Sequence, residues 1–484
     1  MSEFGILKAG AYVPRLRLDR AAIAAMHGWM APALRSLAKG ERAFCSWDED
    51  AVTMAVEAAR DCLDGDASGI AALALASTSF PYADLQHGAL IGAALGLAPG
   101  HAAIDIGHSQ RAGTTALAQA LKAGEEALVV ASDRPVARPA STQEMLYGAG
   151  AAAFRIGTGE IIARLIAASS VAEPFIDHFR SSGARYDYFW EERWIRDEGY
   201  LKIAPQAAGA VLDKAGLEIG DIAHLVMALP MRGAVDAVAR KIDFSGTVAD
   251  SLDGRSGYAG CAHALLMLAG VLETARAGER ILVIGFGQGA DAIVLEVTGA
   301  SDGRTGRNGL SGALAERVPT DSYGRMLSFY DGIDLDWGMR AEKSAKTILT
   351  EQYRASDQIM NFVAGRCGEC GAIQFPQLHY CVSPGCQAPA AQFAQVSLAD
   401  APFEVMTFTA DWLSYHPAPP LHVGFVQFEN GARLMMEMVD IGPDGIDVGT
   451  PLRAVFRIQA RDRERGYNRY FWKATPVPAA RGDV

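Results

Sequence analysis

No apolar run in this sequence approaches the roughly 20 consecutive residues that are needed to cross a bilayer. Its first stretch also lacks the charged start and apolar core of a signal peptide. Basic charge is scarce, because 44 lysines and arginines stand against 56 aspartates and glutamates and give a formal net charge of −12. That balance argues against a general nucleic-acid binder, which needs a basic face. We therefore expect a cytoplasmic protein that has neither a membrane nor a nucleic acid as its partner.

Cysteine is scarce too, with seven in 484 residues. In a cytoplasmic chain these are expected to be free thiols or metal ligands, and not a disulfide framework. Four of them form two short pairs separated by ten residues, which provides the four thiolates that a tetrahedral zinc ion needs. The nearby His379 is expected to be a neighbour of the site and not a ligand. The sequence thus predicts a zinc ribbon with a structural zinc ion held by Cys367, Cys370, Cys381 and Cys386.

The first 300 residues alternate helical patterns with short aliphatic runs, which predicts an α/β fold around a buried sheet. Two helix–turn–strand segments recur within this region. Residues 55–78 are echoed at 207–229, and residues 113–132 are echoed at 261–285, at nearly the same offset. Two pairs of segments at one offset indicate a duplicated α/β half.

The composition changes after residue 298. A segment rich in glycine, serine and charge predicts a linker, a helical segment and the cysteine pairs follow, and alternating short strands then indicate a small all-β barrel. The predicted domains are two α/β halves at 1–165 and 166–298, a linker at 299–337, a helix with the zinc ribbon at 338–390, and the barrel at 391–480.

Several strings resemble the hydroxymethylglutaryl-CoA synthase branch of the thiolase superfamily over residues 4–298. They are AGAYVPRLRLDR, WDEDAVTMAVEAAR, STSFPYADLQ, QRAGTTAL and VLETARAGERILVIGFGQGADA. The tail, 360–480, resembles the zinc-ribbon and OB-fold domains that accompany thiolase-like enzymes. The resemblance implies a duplicated five-layer α/β fold followed by an OB-fold barrel. It also implies an acyl-CoA substrate, with coenzyme A as its thioester, and a homodimer formed through the thiolase-like part.

The resemblance implies a catalytic cysteine at the N-terminus of a buried helix, and this chain departs from it. That position is held by Gln110, beside Ser109 and His108. The family's acidic residue falls on Thr78 and its histidine on Ala228. A cysteinyl acyl-enzyme at this place is therefore not expected. Ser109 remains an alternative nucleophile, although its adjacency to His108 does not by itself provide the hydrogen bond that activation needs.

Tyr258, Cys261 and His263 stand in a loop that leads into a helix of the second half. A glycine-rich turn into a helix N-terminus points backbone amides at an anionic thioester enolate. Tyr258 and His263 are candidate acid–base residues, with Gln110 and Ser109 as hydrogen-bond donors. Cys261 is either a nucleophile or a small packing residue, and His263 is either functional or a core histidine.

A turn with glycine at Gly285, Gly287 and Gly289 follows a predicted strand. It lacks the full dinucleotide fingerprint, and the resemblance implies that it lines the coenzyme A site. The aromatic segment 185–202 is either an exposed amphipathic helix or a wall of the acyl pocket.

These residues favour chemistry that needs no acyl-enzyme, and the hypothesis from the sequence is retro-aldol cleavage of a β-hydroxyacyl-CoA. Thiolase-like aldolases, which this pattern resembles, use tyrosine in place of cysteine. Two alternatives stay open. One is an acyltransferase of the hydroxymethylglutaryl-CoA synthase or thiolase type, with Cys261 as nucleophile. The other is a non-catalytic scaffold subunit that binds acyl-CoA.

Overall fold

The computed structural model describes residues 3–299, 307–443 and 445–477. These residues form two compact units. The first unit is drawn from Met1–Ser46, Asp50–Ile91 and Leu97–Gly332, and the second from Trp47–Glu49, Gly92–Gly96 and Ile333–Val484. Among the described helices, none is both long enough and apolar enough to cross a membrane.

Strands and helices alternate along the chain up to residue 332, as an α/β fold requires. The strands are β1 (Phe4–Tyr12), β2 (Leu16–Asp19), β3 (Glu41–Ala43), β4 (Ala72–Ala76), β5 (Ala102–Ile106), β6 (Ala127–Asp133), β7 (Gly150–Thr158), β8 (Ala163–Ala172), β9 (His178–Phe179), β10 (Tyr188–Phe189), β11 (His224–Met227), β12 (Thr247–Val248), β13 (Arg280–Phe286), β14 (Gly289–Val297) and β15 (Val318–Thr320). The helices are α1 (Arg20–His27), α2 (Ala51–Leu63), α3 (His87–Ala94), α4 (Ala112–Ala123), α5 (Thr142–Leu146), α6 (Glu192–Trp194), α7 (Leu201–Ala215), α8 (Ala234–Lys241), α9 (His263–Thr274), α10 (Gly309–Ala315) and α11 (Tyr323–Phe329).

A ten-stranded sheet runs through the first unit in the order β12-β11-β13-β14-β8-β1-β7-β6-β4-β5. The antiparallel pair of β8 and β1 stands at its centre, where Ala163 faces Ile6. Each half contributes five strands to the sheet. Counted in the chain order of its own half, the strands follow one another outward from this pair as first, fifth, fourth, second and third in both halves. The parallel and antiparallel pairings are also the same in the two halves. The α/β class is confirmed, and the two halves share one topology. The domain boundaries at 165 and 298 and the five layers stay predictions.

The N-termini of two buried helices, α4 from the first half and α9 from the second, come close together. Gly113 makes this approach possible, because a Cβ at that position would lie 2.4 Å from the carbonyl oxygen of Cys261. Leu117 in α4 and Leu265 in α9 are fully buried in one core cluster. The tight packing of α4 against the loop before α9 creates the junction at which the candidate site lies.

Residues 307–332 are not the linker that their composition predicts. They form α10, β15 and α11 within the first unit, and β15 pairs in parallel with β2. The Asp61 carboxylate accepts hydrogen bonds from the backbone N–H groups of Asn308 and Gly309, and the Tyr323 hydroxyl donates to Glu144. These partners are remote in sequence, so local composition did not reveal them. Residues 300–306 of the predicted linker lie outside the described residues.

The second unit begins with two short helices and continues with β-structure. The helices are α12 (Leu349–Arg354) and α13 (Ser356–Ile359), and the strands are β16 (Val363–Cys367), β17 (Ile373–Gln374), β18 (Phe393–Ser397), β19 (Phe403–Val405), β20 (Thr409–Asp411), β21 (Leu421–Phe428), β22 (Arg433–Met438), β23 (Pro451–Asp462) and β24 (Tyr467–Pro476). A three-stranded sheet, β17-β16-β18, carries the first cysteine pair.

Five of the six remaining strands form a barrel in the order β19-β23-β24-β22-β21, which closes because β21 also pairs with β19. The sixth strand, β20, pairs with β21. All these pairings are antiparallel except that of β22 with β24, where Met438 faces Ala474 in parallel. The predicted all-β barrel is therefore present in the described residues. Its five-stranded closure is compatible with an OB fold.

Candidate active site

Gln110 lies just before α4, at the position where the sequence lacks the expected cysteine. Its backbone is held by a contact between this helix start and the turn after β13. The Ser109 hydroxyl donates a hydrogen bond of 2.9 Å to the carbonyl oxygen of Gly287. A Cβ on Gly287 would lie 2.6 Å from the Ser109 Oγ, so only glycine fits this approach. His108 adopts a left-handed backbone with φ of 67°, which is uncommon outside glycine and recurs at functional sites.

A narrow space, here called the neck, opens beside the Gln110 side chain. Its volume is about 10 Å³, which is room for about one water molecule. Aromatic and aliphatic residues line it together with one aspartate, one glutamine and one histidine: Gln110, Tyr147, Asp177, His178, Phe189, Tyr200, Ala228, Leu229, Pro230, Tyr258 and Phe286. The neck therefore brings together residues from both halves.

Two larger pockets adjoin the neck. The outer pocket, of about 870 Å³, is lined from residues 77–87, 105–110, 177–187 and 287–288, and the second pocket, of about 370 Å³, from residues 146, 227–236, 248–253, 258, 263 and 267. Gln110 and His178 line both the neck and the outer pocket, whereas Ala228 and Tyr258 line both the neck and the second pocket. The neck thus lies next to two larger spaces, each large enough for part of a long ligand.

His178 is a residue that the sequence analysis missed. Its Nε2 lies 3.4 Å from the Gln110 amide nitrogen, its Nδ1 lies 3.0 Å from an Asp177 carboxylate oxygen, and its ring stacks on Phe189. Burial lowers the pKa of His178, but the Asp177 and Asp187 carboxylates together raise it by more, so the pKa is above its usual value. The sequence feature that could have indicated His178 is the Asp177-His178 dipeptide ahead of an aromatic-rich segment. This dipeptide does not form part of a known catalytic motif, so it was not singled out.

Tyr258 lies where the neck meets the second pocket and is 8% exposed. Burial raises the pKa of its hydroxyl well above the usual value, and nearby acidic groups such as Asp177 and Asp133 raise it further. The hydroxyl therefore stays protonated near neutral pH, which favours a hydrogen-bond donor over a base. Tyr147, a second neck tyrosine, donates a hydrogen bond of 3.1 Å to Asp187.

Cys261 is buried but does not line the neck or either pocket as described here. Its backbone N–H donates to the Asp133 carboxylate at 3.0 Å, and the same carboxylate accepts from the Thr78 hydroxyl at 2.6 Å. Burial raises the pKa of the Cys261 thiol well above its usual value, and the charge of Asp133 adds to this. These surroundings hold the thiol protonated, which opposes a nucleophilic role and favours packing.

Both ring nitrogens of His263 form hydrogen bonds with backbone groups. Nδ1 accepts a hydrogen bond of 3.1 Å from the Ala259 N–H, and Nε2 lies 2.9 Å from the Ser251 carbonyl oxygen, to which it donates. Burial lowers the pKa of His263 to about 4, so the ring is neutral near pH 7. This arrangement favours a positioning role for His263, because its ring fixes the loop that carries Tyr258.

Of the three glycines in the predicted turn, Gly287 is the one in the described lining of the outer pocket. Gly285 and Gly289 lie against protein atoms instead. A Cβ on Gly285 would lie 2.0 Å from the Thr114 Oγ1, and one on Gly289 would lie 2.0 Å from the Val171 carbonyl oxygen. The contact of coenzyme A with this turn stays a prediction, and Gly287 is the member that has access to a pocket.

The aromatic segment 185–202 contributes to the neck through Phe189 and Tyr200. Trp190 and Trp194 are instead exposed by 56% and 37%. Residues Ile195–Tyr200 form a π-helical turn, a rare geometry that is frequent at functional sites. The segment is therefore partly a wall of the site and partly exposed, which combines the two alternatives.

The four cysteines of the second unit form one cluster, and all their Sγ atoms lie within 4.8 Å of one another. The distance between Cys367 and Cys386 is 3.7 Å, and that between Cys370 and Cys381 is 3.5 Å. Four sulfurs about 2.3 Å from a tetrahedral zinc ion stand roughly 3.8 Å apart. The cluster is therefore compatible in donor chemistry and spacing with a structural zinc ion, and His379 is not part of it.

Comparison with known proteins gives matches to enzymes over about three fifths of the chain. It is 30% identical over 309 residues to the hydroxymethylglutaryl-CoA synthase of Methanocella arvoryzae, which covers 61% of this chain and 88% of that protein. It is 32% identical over 315 residues to the enzyme of the same name from Aeropyrum pernix, with coverage of 62% and 86%. No protein-family model matches the chain.

Solved structures show the same fold at lower identity. MvaS in complex with 3-hydroxy-3-methylglutaryl coenzyme A aligns with a TM-score of 0.58 at 21% identity, over 68% of this chain and 92% of that one. A hydroxymethylglutaryl-CoA synthase complexed with CoA aligns with a TM-score of 0.58 at 18% identity, over 72% and 95%. The fold is accordingly that of a thiolase-like α/β protein. With the sequence matches, the chain belongs to the hydroxymethylglutaryl-CoA synthase family.

Proposed function

We propose that this chain is an acyl-CoA enzyme that makes or breaks the carbon–carbon bond beside a thioester. Its membership of the hydroxymethylglutaryl-CoA synthase family supports an enzyme that acts on coenzyme A thioesters. The neck between two pockets supports a substrate whose thioester lies beside Gln110, with the acyl group in the outer pocket and the pantetheine arm in the second pocket.

The side chain of Gln110 carries the finer part of the proposal. It stands where a nucleophilic cysteine is expected, and none of the described residues that line the neck is a cysteine. Chemistry at this point proceeds on a thioester that is held without a covalent bond. An aldol-type addition or its reverse meets that condition, because the reacting carbanion is an enolate and not an acyl-enzyme.

In the cleavage direction a base removes the hydroxyl proton of a β-hydroxyacyl-CoA. The bond between the α and β carbons then breaks, a carbonyl product leaves, and the electron pair forms a thioester enolate that takes up a proton at the α carbon. His178 is the proposed base and proton donor, because it is the imidazole in contact with Gln110. Tyr258 and the Gln110 amide are the proposed donors to the enolate oxygen. Condensation follows the same steps in reverse order.

The comparisons favour the synthetic direction and an acyltransferase over the cleavage that the sequence suggested, since both reported sequence relatives are synthases. An acyltransferase that works through Cys261 is accordingly the second candidate. The high pKa of the Cys261 thiol and the absence of Cys261 from the described neck lining weigh against it. Condensation and cleavage of one bond use the same residues, so the chemistry proposed for Gln110 and His178 holds in either direction.

The test uses the full-length protein and a panel of β-hydroxyacyl-CoA thioesters. Release of an aldehyde or ketone together with a shorter acyl-CoA, or the reverse condensation, is expected. Intact-protein mass spectrometry during turnover should detect no acyl adduct. An adduct on Cys261 would overturn the non-covalent mechanism in favour of the acyltransferase. Absence of reaction in both directions, with binding of acyl-CoA retained, would favour the scaffold alternative.

Two variants complete this test. Cys261→Ala is expected to keep most of the activity, because the proposed chemistry does not use the thiol. His178→Gln is expected to lower kcat by about 10²-fold or more, since general acid–base catalysis contributes that much. Loss of activity in Cys261→Ala with retention in His178→Gln would reverse the assignment of roles.

We also propose that the cysteine cluster holds a structural zinc ion and that the barrel is an OB fold. The strand order of the barrel and the sulfur spacings support this.

A homodimer through the first unit is proposed as well, because β5 forms an edge of the ten-stranded sheet and Ile104 on it is 49% exposed. Light scattering on the purified protein tests the dimer. A cytoplasmic location stays a prediction of the sequence.

A further inference from the structure

The outer pocket contains groups that the proposed reaction does not use. It is far larger than the neck, and the described residues in its lining include four aspartates but a single arginine and no lysine. The aspartates are Asp84, Asp105, Asp177 and Asp187. Because acidic side chains outnumber basic ones in this lining, the electrostatic potential in the pocket disfavours a negatively charged group on the ligand.

The arginine of the outer pocket is already committed. Arg180 forms an ion pair of 3.3 Å with Asp187 and also donates to the carbonyl oxygen of Thr78. A ligand carboxylate would have to displace the Asp187 carboxylate, which is largely buried and also accepts from Tyr147. Because breaking this pair would leave the largely buried Asp187 carboxylate without its cation, Arg180 is not a ready anchor for an anionic acyl group.

Two of the pocket's histidines are committed in the same way. His178 faces Asp177, and the Nδ1 of His87 lies 2.9 Å from Asp105. Burial raises the pKa of Asp105, but its hydrogen bonds from His87 and Gly88 together lower it by more, so this carboxylate stays charged near neutral pH. The remaining histidine, His108, is exposed, so solvent screens its electrostatic interactions with a ligand.

The walls of the outer pocket are aromatic beside this acidic set. Phe80 stacks on His87 with ring centroids 4.5 Å apart, and Tyr82 stacks on the same ring at 5.7 Å. Phe179 adds a third ring to the lining. With a volume of about 870 Å³, the pocket falls in the range that accepts whole drug-sized ligands and exceeds the need of a short acyl chain.

From these observations we propose that the outer pocket takes an uncharged acyl group with a bulky or aromatic body, and that it discriminates against acyl groups that end in a carboxylate. The inference rests on the proposed function, since it assumes that a coenzyme A thioester lies in the neck. It concerns the acyl class and not the reaction. A carboxylate brought into this pocket loses its hydration and finds no free cation in the described lining, whereas a neutral ring loses little and gains contact with aromatic faces.

Binding of hydrolysis-resistant thioether analogues of acyl-CoA tests this without any turnover. Three analogues are compared by isothermal titration calorimetry on the full chain: one with a short alkyl group, one with a neutral phenylalkyl group, and one in which a carboxylate ends a chain of similar length. The phenylalkyl analogue is expected to bind at least about tenfold more tightly than either of the others.

A charge variant shows whether the acidic lining is the cause. Asp84→Lys, at an exposed position of the pocket, is expected to strengthen binding of the carboxylate analogue several-fold and to leave the phenylalkyl analogue nearly unchanged. Asp213→Lys is the matched control, because it makes the same charge change at an exposed position on α7 outside the pocket lining.

Equal or tighter binding of the carboxylate analogue to the unaltered protein would overturn the inference while leaving the proposed function intact. The same effect from Asp213→Lys as from Asp84→Lys would overturn the role of the pocket charge. Failure of all three analogues and of coenzyme A itself to bind would instead overturn the proposed function. The inferred preference for an uncharged, bulky acyl group would then be overturned as well.

Discussion

The amide nitrogen of Gln110 lies 3.4 Å from Nε2 of His178, and this contact joins the start of a helix to a residue on a separate hairpin. A carboxamide offers both a donor and an acceptor. By rotation it can donate to the neutral imidazole or accept from the imidazolium. Gln110 thus matches both protonation states of His178, which suits a histidine that gives and takes a proton.

Gln110→Glu is expected to raise the pKa of His178 by about 1 to 3, because a carboxylate within a few ångströms stabilises the imidazolium. Histidine side-chain NMR titration of the full chain measures this without turnover. Gln110→Leu is the control, since it removes the amide and adds no charge. An unchanged or lowered pKa in the Glu variant would mean that the two side chains do not face each other.

Cys261 is expected to resist alkylation by iodoacetamide at pH 8 in the native protein and to react after denaturation. The reason is that burial and the nearby Asp133 keep its thiol protonated. Peptide mass spectrometry before and after denaturation gives the extent of modification. Rapid labelling of native Cys261 that acyl-CoA blocks would count against the proposed mechanism and for the acyltransferase.

Gly113→Ala is expected to destabilise the first unit by about 1 to 3 kcal/mol, because the new Cβ would lie 2.4 Å from the Cys261 carbonyl oxygen and push apart α4 and the loop before α9. Urea denaturation followed by circular dichroism measures the change. Gly209→Ala is the matched control: it also lies within a helix, nothing stands within 4 Å of its Cβ position, and it is expected to be neutral or stabilising by up to about 1 kcal/mol. Equal effects of the two substitutions would contradict the close approach.

Acidification is expected to weaken the fold through His263. In the native state its pKa is about 4, whereas an unfolded histidine titrates near 6.5, so the unfolded state binds the extra proton between these values. Stability therefore falls as the pH drops from about 6.5 to 4, by up to about 3 kcal/mol from this group. Denaturation series across that range measure the slope. His263→Gln should be less stable at pH 7 but less dependent on pH, and an unaltered pH dependence would show that His263 titrates normally.

Zinc removal is expected to unfold the small sheet that carries the cysteine cluster, since the metal supplies folding energy that this sheet lacks. Elemental analysis should find about one zinc ion per chain, and Cys381→Ser should lose it. Chelation should also raise the reactivity of the exposed Cys370 towards thiol reagents. The assignment would be contradicted if elemental analysis found no zinc in the purified chain and a chelator left its thermal unfolding profile unchanged.

Local patterns were sufficient for several features of this protein. The cysteine pairs are close in sequence, so their spacing alone predicted the cluster. The alternation of helices and strands predicted the α/β class, because the spacing of apolar residues within each segment indicates whether it forms a helix or a strand. The repeated segments fall on α4 with β6 and on α9 with β13, which occupy equivalent places in the two halves.

Contacts between distant residues decided the rest. Residues 307–332 look like a linker because their stabilising partner, Asp61, is nearly 250 residues away in the chain. His178 became a candidate only when the fold brought it against Gln110. Cys261 and His263 kept two interpretations in the sequence, and their buried partners, Asp133 and the Ala259 and Ser251 backbone groups, favour one for each.

By itself the sequence determined which elements form, where the cysteines cluster and that the expected nucleophile is a glutamine. The tertiary structure alone decided which side chains meet in the neck and which protonation states they hold. The physical reason is that element type follows from short-range periodicity, whereas a pKa and a hydrogen bond depend on burial and on charges that only the folded chain brings together.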